Sequence, residues 1–170
     1  DDIDLIDYLN EKNIKTQAGH TVGRELKNCK GLTHIFNAMN PIHHRNPSVS
    51  LKGLIEDEIY VEIIADLIHL SEDILKLCLK TKPIDRIILI SDSLPSTGSK
   101  NDIIFCNKKI NPEGKDENGT LAGSTKTLDE ICANLIRKNI FSKGQIEKVA
   151  FLNQIKYLNL KDSEVDILNQ

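Results

Sequence analysis

Three histidines and an arginine fall within fourteen consecutive residues, in the segment LTHIFNAMNPIHHR that runs from Leu32 to Arg45. The whole chain has only five histidines. Neutral imidazole is a good ligand for borderline divalent cations such as zinc and iron, and the fork of an arginine matches the oxygens of a phosphate. The segment therefore predicts either a site for a metal and a charged substrate, or surface residues beside a buried strand.

Polar side chains also accompany the other apolar runs of the chain. His20 follows KTQAG, His69 comes late in YVEIIADLIHL and Asp92 closes RIILISD, while His34 and Asn37 lie in LTHIFNAM. Each run is a strand candidate, and active sites of α/β barrels are built at the C-terminal ends of the strands. A single histidine near a strand end is more often a hydrogen-bonded residue than a ligand. Four successive strands that each deliver a polar group favour a site.

The apolar patterns predict strands that alternate with helices. The runs YVEIIADLIHL and RIILISD are almost continuously apolar and rich in isoleucine, which is typical of parallel strands covered on both faces. Helix starts are marked by Ser71, by Thr127 with Glu130 and by Ser142 with Gln145. A further helix is predicted in IDLIDYLNEKN and a short strand in DIIFC. The sequence therefore predicts an α/β fold with a parallel sheet.

Composition narrows the function classes. The chain has 170 residues and a net charge of -3, with lysines and acids interleaved, so we expect no nucleic-acid partner. It has no apolar run of membrane length, and its four cysteines form no CxxC pair, which favours free thiols in a reducing cytoplasm. Because the chain begins with Asp and has no methionine before Met39, we expect a processed chain or a fragment.

Five segments together carry a resemblance. AGHT, THIFNAMNPIHHR, IIADLIH, LISD and GTLAGS occur in the order seen in the N-acetylglucosamine-6-phosphate deacetylase family of the amidohydrolase superfamily. The resemblance runs from about residue 5 to about residue 160, and the segment THIFNAM with a downstream HHR is its most specific part. It implies the C-terminal part of a TIM-type (β/α)8 barrel over residues 1–160. Residues 161–170 would be the remnant of a small β-domain that is largely missing.

The resemblance also implies roles for individual residues. It makes His20 and His34 ligands of a zinc or iron ion and Asp92 the catalytic aspartate. It assigns the remaining matched positions to substrate binding: Asn37, Ala38, Arg45, Asp66, His69, Leu121, Ala122 and Gly123. It also implies a homodimer, because Arg45 would reach the phosphate of the substrate bound by the neighbouring subunit. His43 and His44 receive no ligand role and are expected at the surface or at an interface.

The chemistry that the resemblance implies is the hydrolysis of an acetamide. The metal would polarise the acetamide carbonyl and stabilise the oxyanion. Asp92 would act as general base towards water and then return its proton to the departing amine. The products would be acetate and glucosamine 6-phosphate.

The chain also departs from the family pattern. A glutamate ligand of the metal and a histidine that orients the acetamide both lie upstream in the family and are absent here, which predicts poor metal affinity. The segment VGRELKNCKG leaves little room for a helical crossover. Leu67 and Ser48 replace glycines, which often mark positive φ or close backbone approach. Gln154 stands where a proline is usual and Asn159 where a glycine is.

Three hypotheses follow from the sequence. The chain is part of an N-acetylglucosamine-6-phosphate deacetylase, or it is another metal-dependent amidohydrolase, or it is a truncated and inactive remnant that binds sugar phosphate weakly or not at all. The segment THIFNAM and Arg45 argue against the second hypothesis, while the missing glutamate favours the third for the chain in isolation.

Overall fold

A four-stranded parallel sheet forms the centre of the molecule. The computed structural model describes residues 4–23 and 25–161, so the predicted C-terminal remnant at 161–170 lies outside the described residues apart from its first position. Within them the strands lie side by side in chain order, and every neighbouring pair is parallel. The α/β fold with a parallel sheet is therefore confirmed. The four strands are β1 (Gln17–Ala18), β2 (Gly31–Leu32), β3 (Tyr60–Ile64) and β4 (Ile87–Ile90).

Helices pack on this sheet, and their starts follow the capping signals in the sequence. The Ser71 hydroxyl accepts from the N–H of Ile74, and Ser142 forms a capping box with Gln145. A second capping box joins Thr127 to Glu130, so all three predicted starts are confirmed. The helices are α1 (Leu5–Glu11), α2 (Val49–Ile55), α3 (Glu72–Thr81), α4 (Leu128–Arg137), α5 (Lys143–Glu147) and α6 (Asn153–Leu158), with the π-helical segment Lys148–Leu152 joining the last two.

Between β1 and β3 the structure differs from the prediction at LTHIFNAM and has one helix that was not predicted. The strand predicted in LTHIFNAM is wrong beyond its first residue, because β2 ends at Leu32 and the backbone then forms turns, with positive φ at His34, Phe36 and Ala38. The described part of VGRELKNCKG contains no helix, although its Leu26 is buried in the core. Helix α2 was not predicted, and its start is marked by Ser48, whose hydroxyl accepts from the N–H of Leu51.

The core lies between the sheet and the helices. Val61 and Ile63 of β3 and Leu89 of β4 are almost completely buried there. Helix α2 approaches β2 closely at Gly53, where an added Cβ would lie 2.2 Å from a methyl group of Leu32. A larger residue here would force the fully buried Leu32 side chain to move.

A hairpin extends from the segment that follows β4. The predicted strand in DIIFC is confirmed as β5 (Ile103–Phe105), and it pairs antiparallel with β6 (Lys108–Ile110), which was not predicted. Cys106 and Asn107 join the two strands with φ of 49° and 62°. Two successive left-handed residues are typical of a tight hairpin turn.

The outer edge of β4 is covered by amide side chains of α6. Asn153 donates to the carbonyl of Ile87 at 2.6 Å, and Gln154 donates to the carbonyl of Leu89 at 3.2 Å. Carbonyl groups of successive residues in a strand point to opposite sides, so those of Ile87 and Leu89, two positions apart, point to the same side and face α6. The helix thus satisfies the acceptors that another strand would otherwise pair with.

Within the described residues, β1 and β4 are each paired on one side only, and the sheet does not close into a barrel. None of the helices in this part of the chain has the length and apolar content that crossing a bilayer requires.

Candidate active site

The backbone turns in the same way after each strand of the parallel sheet. A residue with positive φ follows two or three positions after each strand end: His20 at 47°, His34 at 35°, Leu67 at 65° and Asp92 at 49°. Left-handed conformations cost non-glycine residues about 1–2 kcal/mol, so they persist only where surrounding structure enforces them. Three of these four residues were predicted from the sequence to carry the chemistry.

These turns border a cleft of about 420 Å³ at the C-terminal edge of the sheet. Nine of the eleven predicted site residues line it, and Gly119 and Thr120 line it as well. The structure therefore brings together residues from four strand ends and from one distant loop. The nine are His20, His34, Asn37, Ala38, His69, Asp92, Leu121, Ala122 and Gly123.

His20 and His34 form a close pair in this cleft. Their ring centroids lie 4.7 Å apart with the ring planes inclined by 50°. His34 is buried, and its Nδ1 has no hydrogen-bond partner among the residues that the structure describes, whereas His20 is exposed. A buried polar atom without a partner costs about 1–3 kcal/mol, which a ligand at this position would offset. Gly19 lies close to Thr33, since a Cβ there would be 3.2 Å from the Thr33 side chain.

The histidine pair fits a divalent metal as two of its ligands. Since a zinc–nitrogen bond is about 2.0–2.1 Å long, both rings can reach one ion. Among residues 4–23 and 25–161, however, no three histidine, cysteine or carboxylate side chains are gathered as a metal site. The described part of the chain therefore offers an incomplete ligand set.

Asp66 lies behind the cleft rather than in its wall. Its side chain is fully buried, and its Oδ2 is 2.8 Å from Nδ1 of His69. Its Oδ1 accepts from the backbone N–H groups of Ile68 and His69, both at 2.8 Å. Burial alone would raise the pKa of Asp66, but these hydrogen bonds outweigh it and lower the pKa to about 2. Asp66 thus holds His69 in place and does not itself line the cleft.

Arg45 also lies outside the cleft. It is exposed in the segment that leads to α2, and its backbone N–H donates to Nδ1 of His43 at 3.2 Å. The rings of His43 and His44 are 4.4 Å apart and do not line the cleft either. In the segment LTHIFNAMNPIHHR, the structure therefore places His34 in the cleft and His43, His44 and Arg45 outside it.

Asn37 stabilises the turn that carries His34. Its side-chain amide donates to the carbonyl of His34 at 3.0 Å and to that of Ile35 at 3.3 Å. The adjacent Ala38 has φ of 50° and is exposed to the cleft. The turn thus presents a small side chain and backbone towards the cleft.

The loop from Gly119 to Gly123 closes one side of the cleft, and it approaches the backbone of Asp92 very closely. A Cβ added to Gly123, where φ is 158°, would lie 2.8 Å from the Asp92 carbonyl oxygen. Only glycine permits this approach. Gly119 and Thr120 were not predicted as site residues, although they lie beside the predicted segment Leu121–Gly123.

Two buried or partly buried residues behind this loop were also missed. Ser124 donates through Oγ to Oδ2 of Asp66 at 3.0 Å, and Lys126 donates through Nζ to the Asp66 carbonyl at 3.0 Å. The final serine of GTLAGS could have indicated Ser124, but nothing in the local sequence shows that it contacts a residue 58 positions away.

Comparison with known proteins adds a family likeness to this geometry. No protein-family model matches the chain. The chain is 30% identical to the N-acetylglucosamine-6-phosphate deacetylase of Bacillus subtilis, over 94% of this chain and 43% of that protein. It therefore spans less than half the length of this relative.

Solved structures agree with the sequence likeness. The N-acetylglucosamine-6-phosphate deacetylase of Thermotoga maritima matches with a TM-score of 0.81 and 31% identity, over 93% of this chain and 47% of that one. An aspartate-to-alanine variant of the Mycobacterium smegmatis enzyme, in complex with N-acetyl-D-glucosamine-6-phosphate, matches with a TM-score of 0.78 and 26% identity, over 89% and 44%. The chain thus resembles the N-acetylglucosamine-6-phosphate deacetylases, in sequence and in fold, along most of its own length.

Proposed function

We propose that the chain carries the C-terminal part of a (β/α)8 barrel over residues 1–160 and the matching part of a deacetylase active site, with residues 161–170 as the remnant of a further segment. The reaction is the hydrolysis of N-acetylglucosamine 6-phosphate to glucosamine 6-phosphate and acetate. The observation that carries this proposal is the cleft in which His20, His34, His69 and Asp92 meet. The likeness to deacetylases of this substrate supports it.

A zinc or iron ion at His20 and His34 is part of the proposal. The unpartnered Nδ1 of buried His34 and the short distance between the rings support it. When bound, the ion would supply Lewis-acid polarisation of the acetamide carbonyl and a lower pKa for water. With only two ligands in the described part of the chain, its affinity is expected to be low.

Asp92 handles the proton in the proposed reaction. Its side chain is exposed to the cleft on the turn after β4. As general base, its carboxylate takes a proton from the attacking water while the new bond to the acetyl carbon forms. It then delivers that proton to the sugar nitrogen as the carbon–nitrogen bond breaks, so the amine leaves neutral and acetic acid remains, which ionises to acetate.

The other cleft residues bind the sugar phosphate. Asn37 and Ala38 are proposed to contact the phosphate, His69 a sugar hydroxyl and the Leu121–Gly123 loop one face of the ring. Because Arg45 is exposed outside the cleft of its own chain, it is available to the substrate of a second subunit, which supports the proposed homodimer. The free state of all four cysteines supports a cytoplasmic location.

Acetate release from a small set of amides tests the proposal. The purified chain, supplemented with zinc or iron, is expected to release acetate from N-acetylglucosamine 6-phosphate and much less from N-acetylglucosamine, which lacks the phosphate. Faster release from an unphosphorylated amide would favour another amidohydrolase function. Absence of release from every amide would leave an inactive remnant as the better account of the chain.

A further inference from the structure

The His69 ring forms a hydrogen bond with the carboxylate of Asp66. Its Nδ1 lies 2.8 Å from Oδ2 of Asp66, and only 5% of the His69 side chain is exposed. An ionised carboxylate can only accept hydrogen bonds, so Nδ1 must be the donor and must carry a proton. The neutral form of His69 that this contact allows is therefore the Nδ1-protonated tautomer.

Asp66 cannot turn away from this contact. Each of its carboxylate oxygens is engaged twice: Oδ1 by the N–H groups of Ile68 and His69, and Oδ2 by Nδ1 of His69 and the hydroxyl of Ser124. Rotation of the carboxylate would break several charge-assisted hydrogen bonds at once inside the protein.

Ser124 connects this network to the turn that carries Asp92. It is almost completely buried, its backbone N–H donates to the Asp92 carbonyl at 2.8 Å, and its own carbonyl accepts from Leu94 at 3.0 Å. One residue thus fixes both the carboxylate behind His69 and the backbone of the proposed catalytic aspartate.

Nε2 lies on the opposite side of the His69 ring from Nδ1, which faces Asp66, and His69 lines the cleft. In the Nδ1-protonated tautomer Nε2 carries a lone pair and no proton. We propose that Asp66 and Ser124 are positioning residues that hold His69 in this tautomer, so that Nε2 accepts a hydrogen bond from a hydroxyl group of the substrate. The identity of that substrate as an amino-sugar phosphate rests on the proposed function, whereas the tautomer does not.

For substrate specificity, this means that the His69 side of the cleft favours a substrate group that donates a hydrogen bond. A neutral ring held in this way offers no proton to an anionic oxygen, but it pairs well with a sugar hydroxyl. A site whose buried polar groups are arranged for a hydroxyl discriminates strongly against an analogue that lacks it.

Nitrogen NMR of ring-labelled histidine tests the tautomer in the full chain, without metal or substrate. We expect the His69 signals of the Nδ1-protonated form at neutral pH. In Asp66→Asn, the amide oxygen is expected to keep the two backbone N–H groups that Oδ1 accepts from, which places the NH2 group against Nδ1 of His69, so we expect the Nε2-protonated tautomer. A wild-type ring that carries a proton on Nε2, alone or together with one on Nδ1, or an Asp66→Asn spectrum unchanged from wild type, would overturn the proposal.

Ser124→Ala is the second variant, because it removes one hydroxyl and leaves the other partners of Asp66. Loss of one hydrogen bond to a charged group should raise the acid titration midpoint of the Asp66 carboxyl by about one pH unit. An unchanged midpoint would overturn the role of Ser124. Thr97→Ser, which keeps the hydroxyl that donates to the Ser124 carbonyl, is a matched control and should leave the midpoint in place.

Addition of N-acetylglucosamine 6-phosphate tests the contact itself. We expect the Nε2 resonance to move and the Nδ1 resonance to stay in place, and an unmoved Nε2 resonance in the bound state would overturn the contact. Acetate release by a chain with the wrong tautomer would refute this inference alone. The expected tautomer in a chain that releases no acetate would refute the proposed function alone.

Discussion

His20 and His34 occupy equivalent positions two residues beyond the ends of β1 and β2, both in the left-handed region of φ, and their rings lie 4.7 Å apart. Adjacent parallel strands place equivalent residues side by side, and the same turn then directs both side chains into one cleft. The strained backbone and the unpartnered Nδ1 of His34 both have an explanation if the pair holds a cation.

Zinc titration of histidine variants tests this pair. His20→Ala and His34→Ala should each lower zinc affinity by at least about tenfold, since each removes one of two ligands. His43→Ala and His44→Ala are matched controls, because their rings are also close to each other but lie outside the cleft. An equal loss of affinity in the control variants would contradict the assignment.

Asp66 should make stability depend on pH in the acid range. Its pKa is lowered to about 2 in the folded protein, below the ordinary value of 3.8. The carboxylate therefore stabilises the fold fully above about pH 4, and this contribution, about 2 kcal/mol, is lost as the pH falls from 4 through 2. Urea unfolding of wild type and Asp66→Asn should show a difference that shrinks over this interval. A difference that stays constant would show that the charge of Asp66 is not its cause.

At position 67, a glycine variant should be more stable than an alanine variant, which is the reverse of the usual order. The φ of Leu67 is 65°, a conformation that glycine adopts without strain. Leu67→Gly should therefore be more stable than Leu67→Ala by about 1 kcal/mol, although both lose the leucine side chain. Thermal unfolding measures the difference. At the neighbouring Ile68, which is exposed and does not have positive φ, the alanine variant should be the more stable one. The same order at both positions would contradict the strain at Leu67.

Gln154 should stabilise the outer edge of β4. Its amide donates to the Leu89 carbonyl, so Gln154→Leu should lower the free energy of unfolding by about 1 kcal/mol and speed hydrogen exchange in β4. Gln154→Glu keeps the shape but places a carboxylate near that carbonyl oxygen, so its loss should be larger at neutral pH and smaller in acid. Variants as stable as wild type at every pH would show that the edge does not depend on this contact.

Local signals made much of the fold predictable. Caps at Ser71, Thr127 and Ser142 are read from residues three positions apart, and the continuous apolar runs of β3 and β4 indicate a parallel sheet. The cleft residues His20, His34, His69 and Asp92 were predictable because they follow strand ends, and parallel strands bring their ends to one edge.

The features that the sequence did not predict depend on contacts between residues that are distant along the chain. The apolar residues of LTHIFNAM suggested a strand, yet Ile35 is buried within a turn and donates to the Glu62 carbonyl of β3 at 2.8 Å. The place of Asp66 behind the cleft depends on Ser124, which is distant in sequence. The cover on the β4 edge likewise depends on Asn153 and Gln154, more than 60 residues away along the chain.

The most direct test of the deacetylase assignment is acetate release from N-acetylglucosamine 6-phosphate by wild type and Asp92→Asn, with zinc present and folding checked by circular dichroism. Asn keeps the shape of the side chain but cannot take a proton from water, so the rate should fall by about a hundredfold or more. Asp57→Asn, at an exposed position away from the cleft, is the matched control and should keep the wild-type rate. Equal rates for wild type and Asp92→Asn would contradict the account.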